Sequence, residues 1–90
     1  MPRDMVERRL PGFTPEQVRA AARAAKDTTA AMTGEGQPVR YLRSTFIPGE
    51  DKCYCLFEAA SAAVVETANR RAKLPMDRVV EAELVSAEEV

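Results

Sequence analysis

Two cysteines stand one residue apart in Cys53-Tyr54-Cys55, within an apolar stretch of the chain. The chain has no histidine, so these thiols and the carboxylates are the side chains that most readily supply metal ligands, redox chemistry or a nucleophile. Residues two apart on a β-strand point to the same face, and soft thiolates suit nickel, zinc or copper(I). Their α-carbons would lie about 6.6 Å apart, at the outer limit of disulfide geometry. The spacing therefore predicts a pair of free thiols that share one face.

Three interpretations of this pair stay open. The thiols are metal ligands, or they pack as small buried hydrophobic side chains, or they are catalytic. Thiols that point into a core covered by helices would be packing, and only thiols on the opposite sheet face, beside Glu7 and Glu81, would favour a metal site. A catalytic thiol needs a base and a means of lowering its pKa, and the pair lies in mid-strand rather than at a helix N-terminus. We therefore predict no catalytic residues.

The carboxylates are the second set of candidate ligands. Alternation along the first and last predicted strands places Glu7 and Glu81 on one sheet face, where they would be hard ligands beside the thiols. Tyr41, Arg43 and Tyr54 are further candidates for lining a ligand pocket. The alternative is that these acids form ion pairs with Arg8, Arg9 or Arg43 and fix the register of a dimer.

Length and charge limit the class of protein. The 90 residues fit a single domain spanning positions 1–90, and the net charge is −1 with both signs interleaved. Nothing in this charge distribution attracts nucleic acid or an anionic membrane. No signal peptide or membrane span is recognisable, so we expect a cytoplasmic protein with reduced cysteines.

Hydrophobic periodicity and turn signals predict six elements. Thr14, Pro15 and Gln17 have the pattern of a capped helix start, and Ser61 is a candidate cap for a second helix. The predicted order is a strand over 4–10, a helix from Pro15 that ends within 34–38, a strand over Val39–Ile47, a turn over 48–52, a strand over 53–58, a helix after Ser61 that ends at 74–75, a strand over 77–85 and an acidic, frayed tail over 86–90.

This order is the split βαβ arrangement of the ferredoxin-like fold, in the α+β class. It predicts a four-stranded antiparallel sheet with two helices on one face and the 53–58 strand in a central position. The other face would carry apolar groups among charged ones and has nothing within the chain to cover it. A second copy of the chain, packed sheet to sheet, is the expected partner.

Several phrases resemble one family of small bacterial proteins described only as a domain of unknown function. They are Met5-Val6-Glu7-Arg8, Phe13-Thr14-Pro15-Glu16, Arg43-Ser44 followed by the run from Asp51 through Cys53 and Cys55 to Ala59, and Leu74-Pro75-Met76-Asp77-Arg78-Val79. The resemblance implies a dimeric ferredoxin-like protein of the dimeric alpha-beta barrel type. It also implies a link to nickel, because a nickel-binding, nickel-responsive protein is a member.

The sequence thus predicts a homodimer that binds nickel or another divalent transition metal, with Cys53 and Cys55 as soft ligands and Glu7 and Glu81 as hard ones. Two alternatives remain. One is a cofactor-independent enzyme acting on a small organic substrate, with Tyr41, Tyr54 or a buried glutamate as acid or base; it rests on fold analogy and requires an enclosed cavity. The other is a non-catalytic interaction module.

Overall fold

The computed structural model describes all 90 residues and contains the six elements in the expected order. The predicted strand starts and helix starts lie within two residues of the observed ones. The last strand is shorter than predicted because regular pairing with the first strand ends at Ala82. The elements are β1 (Arg3–Arg9), α1 (Pro15–Gly34), β2 (Val39–Ile47), β3 (Lys52–Ala59), α2 (Ala62–Arg71) and β4 (Arg78–Ala82), with short 3₁₀ turns at Pro48–Glu50 and Ala87–Glu89.

The four strands form one antiparallel sheet in the order β2-β3-β1-β4. Both helices pack against the same sheet face, hereafter the helix face, and the opposite side is the open face. This arrangement confirms the predicted ferredoxin-like α+β fold and the central position of β3. The core lies between the helices and the helix face, and Val6, Met32, Phe57 and Val65 have no solvent exposure there.

Helix α1 begins where the sequence predicts. The Thr14 hydroxyl accepts a hydrogen bond from the Gln17 amide at 3.2 Å, and the Gln17 side chain accepts one from the Thr14 amide at 2.8 Å. This capping box satisfies two backbone donors that the helix cannot satisfy itself, and Pro15 supplies a preset φ. Neither helix has the length and apolarity needed to cross a lipid bilayer.

An irregularity in β2 changes which side chains face the helices. Tyr41 is paired with Phe57 and Arg43 with Leu56, so Leu42 is an extra residue in the strand. Simple alternation predicts Tyr41 and Arg43 on one face, and this is wrong because the extra residue reverses the alternation. Tyr41 therefore faces the helices, as does Ser44 beyond the irregularity, whereas Arg43 lies on the open face.

The register of β4 corrects a second assignment. Glu81 is paired with Asp4 and Arg78 with Glu7 on β1. Opposed residues in antiparallel strands share a face, so Glu81 lies on the helix face and Glu7 on the open face. The prediction that these two glutamates share a face is wrong. The strand has apolar residues at both parities, so its hydrophobic pattern alone does not determine the face.

Candidate functional site

The centre of the candidate site is Arg8, a charged side chain that is only 2% exposed. Alternation along β1 directs it into the helix-covered core between Val6 and Leu10. Its Nε donates to Cys55 Sγ at 3.4 Å, and its Nη2 donates to Asn69 Oδ1 at 2.8 Å. Its Nη1 donates to the Pro75 carbonyl oxygen at 2.9 Å. None of these acceptors is a carboxylate, and the Cys55 thiol is the one acceptor among them that can carry a negative charge.

Helix α2 and the segment after it hold the guanidinium from one side. Asn69 is 1% exposed, and its Nδ2 donates to the Val65 carbonyl oxygen at 2.8 Å, one helical turn earlier. This bond directs Oδ1 of the amide toward Arg8. The charged group is therefore fixed by a helix side chain, a loop carbonyl and a strand thiol, which belong to three separate parts of the chain.

Strand β2 approaches Cys55 from the other side. Ser44 Oγ lies 3.1 Å from Cys55 Sγ, and Tyr41 Oη lies 2.7 Å from Ser44 Oγ. The Tyr41 ring meets Phe57 edge to face, with centroids 5.6 Å apart. The hydroxyl groups of Tyr41 and Ser44 both lie on the side of Cys55 only because the irregularity at Leu42 turns these two side chains to the same face. We call the set of Arg8, Tyr41, Ser44, Cys53, Cys55 and Asn69 the thiol cluster.

The two sulfur atoms are 3.7 Å apart and neither cysteine is in a disulfide. The hydrogen bond from Cys53, the charge of Arg8 and the hydrogen bonds from Ser44 and Arg8 lower the pKa of Cys55 to about 6, against the opposing effect of burial. The same contact with Cys55 and burial raise the pKa of Cys53. Near neutral pH the pair therefore holds one proton, on Cys53, and Cys55 is the thiolate that receives the surrounding hydrogen bonds.

The phenol of Tyr41 stays protonated in this arrangement. Burial raises its pKa, and the hydrogen bond with Ser44 only partly offsets that effect. A thiolate can only accept hydrogen bonds. Ser44 therefore donates to Cys55, and Tyr41 donates to Ser44. The cluster delivers three donors to one sulfur atom.

A small cleft of about 10 Å³ borders the sulfur atoms. This volume holds about one water-sized group and no organic substrate. The enclosed cavity required by the cofactor-independent enzyme hypothesis, with a tyrosine and a carboxylate in its wall, is not at this position. The wall consists of Arg8, Leu10, Val18, Ala21, Ala22, Ala25, Ser44, Cys53, Cys55 and Leu74.

The structure separates the four ligands that the sequence suggested. Cys53 and Cys55 are 2% and 5% exposed on the helix face. Glu7 lies on the open face in an ion pair with Arg78, not with Arg8, Arg9 or Arg43. Glu81 is exposed at the sheet edge beside Asp4, whose pKa is raised by burial and by the charge of Glu81. No three residues of the histidine, cysteine, aspartate and glutamate types cluster in metal-binding geometry.

The pocket candidates are also divided between the two faces. Tyr41 belongs to the thiol cluster, whereas Arg43 and Tyr54 lie on the open face, opposite Leu56 and Thr45 respectively. The open face also carries Glu58, which forms ion pairs with Arg3 at 3.3 Å and Arg40 at 3.8 Å. Glu7 was expected to pair with an arginine and does so with Arg78, a different one from those expected, whereas the ion pairs of Glu58 were not predicted.

Three residues of the thiol cluster did not emerge as candidates from the sequence: Arg8, Ser44 and Asn69. The signal for Arg8 is visible in the sequence: it is a charged residue between Val6 and Leu10, at an alternating position of β1 where an apolar residue is expected. Asn69 also had one, since it adjoins the inward-facing Ala68 of α2. Ser44 had none, because a strand irregularity cannot be located from alternation alone.

Comparison with known proteins gives two findings. The family model described as "Nickel responsive protein SCO4226-like" matches residues 5–82. The crystal structure of SCO4226 from Streptomyces coelicolor A3(2) is similar to this fold with a TM-score of 0.75 and 25% sequence identity, over 93% of this chain and 99% of that one. No curated protein matches the chain.

Proposed function

The chain belongs to the SCO4226-like family of nickel-responsive proteins, and we propose from this premise that it is a cytosolic homodimer that binds Ni²⁺ through Cys53 and Cys55. The observation that carries the ligand assignment is the distance of 3.7 Å between the two sulfur atoms. One of them, Cys55 Sγ, also accepts a hydrogen bond from Arg8. Glu7 and Glu81 are not part of this proposal, because they lie on opposite sheet faces.

The sulfur spacing suits two ligands of one metal ion. A tetrahedral ion with metal–sulfur bonds of about 2.3 Å separates two sulfur ligands by about 3.8 Å. Ser44 Oγ, 3.1 Å from Cys55 Sγ, is the nearest further oxygen donor, and the adjacent cleft has room for about one water. Arg8 would remain hydrogen-bonded to the Cys55 sulfur, as outer groups do at metal sites. Its positive charge opposes a cation and limits the affinity.

Metal binding at this pair has a characteristic proton stoichiometry. Cys55 is already ionised near neutral pH, whereas Cys53 keeps its proton because its pKa is raised. A metal that binds both sulfur atoms must displace the Cys53 proton. We therefore expect close to one proton to be released per nickel ion bound.

The nickel proposal is tested by calorimetric titration of the reduced protein in buffers that differ in ionisation enthalpy. We expect the Cys53→Ser and Cys55→Ser variants to weaken nickel binding by at least about tenfold, or 1.4 kcal/mol. The matched variants Glu7→Gln and Glu81→Gln should bind like wild type. Equal loss in the glutamate variants, or binding weaker than about millimolar in the wild type, would contradict the assignment.

The homodimer is supported by the open face. Met5 is paired with Leu56 on one side and with Val80 on the other, so an apolar row crosses β3, β1 and β4; Met5 and Val80 are half-buried, whereas Leu56 is already buried within the chain. The ion pairs Arg3–Glu58 and Glu7–Arg78 flank this row. Protein interfaces usually have an apolar centre and a charged border. A second copy of the chain can cover this surface through two-fold symmetry.

The dimer is tested with Met5→Lys, which places a charge in the middle of the apolar row. We expect the variant to sediment as a monomer at concentrations where the wild type sediments as a dimer, because a desolvated unpaired charge opposes association. Ala30→Lys, on the exposed side of α1, is the matched control and should remain dimeric. A monomeric wild type at tens of micromolar would refute the dimer.

A further inference from the structure

The thiol cluster has a feature that metal binding does not require: the two cysteines are in unequal surroundings. Cys55 Sγ contacts Arg8 Nε at 3.4 Å, Ser44 Oγ at 3.1 Å and Cys53 Sγ at 3.7 Å. The hydrogen bond of Cys53 is the one that it makes with Cys55. Three polar groups therefore converge on the Cys55 sulfur atom, and one of them is the neighbouring thiol of Cys53.

We propose that Cys55 is a peroxide-sensitive cysteine, oxidised to a sulfenic acid that the thiol cluster holds in place. The sulfur of Cys55 attacks one oxygen of hydrogen peroxide, the O–O bond breaks, and hydroxide leaves and takes up a proton from water. One S–O bond forms, the sulfur loses two electrons, and the peroxide gains them. The inference is independent of the nickel proposal, because it concerns the metal-free protein.

The size of the adjacent cleft favours this product. It holds about 10 Å³ and is bordered by Ser44, Cys53 and Cys55, which is room for about one oxygen atom with its hydrogen. Ser44 and Arg8 lie where they can donate to an oxygen on Cys55 as they do to the sulfur. Small side chains, Ala21 and Ala22, line the outer part of the cleft and are half-buried rather than sealed, so local motion admits a small oxidant.

The strand geometry opposes the alternative product, a disulfide. Cys53 and Cys55 are consecutive inward residues of β3, which is paired on both sides by β1 and β2. A disulfide would bring sulfur atoms now 3.7 Å apart to about 2.05 Å, across α-carbons held near the outer limit of disulfide geometry. The paired neighbours resist the required distortion. Cys53 is therefore a hydrogen-bond donor to Cys55 rather than a resolving thiol.

Reversal requires a thiol from outside the chain. During local opening of the site, a small-molecule thiol attacks the Cys55 sulfur, the S–O bond breaks and water leaves, which gives a mixed disulfide. A second molecule of that thiol then attacks the outer sulfur of the mixed disulfide and restores Cys55. The two external thiols end as one disulfide, so they supply the two electrons.

The experiment treats metal-free, reduced protein with stoichiometric hydrogen peroxide and follows the oxygen adduct by mass spectrometry of the intact protein and of its peptides, because an organic trapping reagent does not fit the cleft. We expect the adduct on Cys55 to form at least tenfold faster than on Cys53. We also expect that Cys53→Ser keeps Cys55 reactive. An intramolecular disulfide without an adduct, equal reaction of both cysteines, or no reaction of the folded protein would each overturn the proposal.

Arg8 is a positioning residue in this proposal, and Arg9→Met, on the exposed neighbour, is its control. We expect Arg8→Met to slow the reaction of Cys55 by at least tenfold and Arg8→Lys to recover part of the rate, whereas Arg9→Met leaves the rate unchanged. A purely structural role of Arg8 would expose both cysteines and accelerate both reactions, which would overturn the assignment. Nickel titration of the same samples is a separate measurement, so the two proposals can fail independently.

Discussion

Replacement of Arg8 by methionine is expected to destabilise the protein by about 3 kcal/mol near pH 8, because it removes one partner of a buried ionic contact. It also leaves Asn69 Oδ1 and the Pro75 carbonyl without their donor. A domain of this size has about 5–15 kcal/mol of stability in total, so the variant should fold but be weakened. Denaturant unfolding followed by circular dichroism measures this loss.

The loss should depend on pH in a defined direction. Cys55 has a folded pKa of about 6 and an ordinary cysteine value of 9.0. Between these values the unfolded chain binds more protons than the folded one. This group therefore makes wild-type stability rise from about pH 6 to about pH 9, and its contribution is lost as the pH falls back through about 6. Without the charge of Arg8 the pKa of Cys55 rises and this dependence weakens. The difference between wild type and Arg8→Met should therefore be largest near pH 9.

Arg9→Met is the matched control for this prediction. Arg9 is the next residue on β1, but it is exposed on the open face, and its removal should change stability by less than about 0.5 kcal/mol at every pH. The ultraviolet absorbance of the thiolate provides a second readout, which should titrate at higher pH in Arg8→Met only. An unchanged thiolate titration in that variant would contradict the ionic contact.

The fold could be predicted from the sequence because its determinants are local. Thr14, Pro15 and Gln17 specify a helix start through hydrogen bonds within four residues, and Pro48 and Gly49 mark a turn between two alternating strands. Such signals depend little on the rest of the chain. The order of elements they produce matches few known folds, and the ferredoxin-like arrangement is one of them.

The side-chain arrangement of the site could be predicted only in part, because it depends on pairing between distant strands. The shared face of Cys53 and Cys55 follows from a spacing of two and was predicted. Tyr41 and Ser44 share a sheet face only because of the irregularity at Leu42. The sheet face of Glu81 depends on the register of β4 against β1. A one-residue difference in either strand reverses the faces.

The burial of both thiols also changes how the motif is interpreted. Sequence reasoning offered metal ligands or inert packing as alternatives, with the sheet face as the criterion between them. The thiols lie on the packed face, yet Arg8 and Ser44 make polar contacts with Cys55, and Asn69 holds Arg8, which simple packing does not need. A buried charge requires compensation wherever it occurs. The buried charge of Arg8 is therefore the feature that distinguishes this pair from thiols that pack only against apolar neighbours.

Replacement of Phe57 by alanine should have the largest effect on stability among single core substitutions. Phe57 has no solvent exposure, lies on the central strand β3 and packs edge to face on Tyr41. Loss of the ring removes its burial free energy and leaves a cavity between two paired strands that cannot collapse freely, which together cost about 3–5 kcal/mol. With a denaturant dependence of about 2 kcal/mol per molar urea, the midpoint should fall by about 2 M.

Phe57→Leu and Tyr54→Phe are the controls for that measurement. Leucine refills part of the space, so a loss of about 1–2 kcal/mol is expected. Tyr54→Phe changes the same strand on the open face, where the residue is half-buried, and should alter stability by less than about 0.5 kcal/mol. If Phe57→Ala cost no more than Phe57→Leu, the ring could not be the close-packed centre of the core. The slope of the transition should be equal in all variants, because each still exposes the same surface on unfolding.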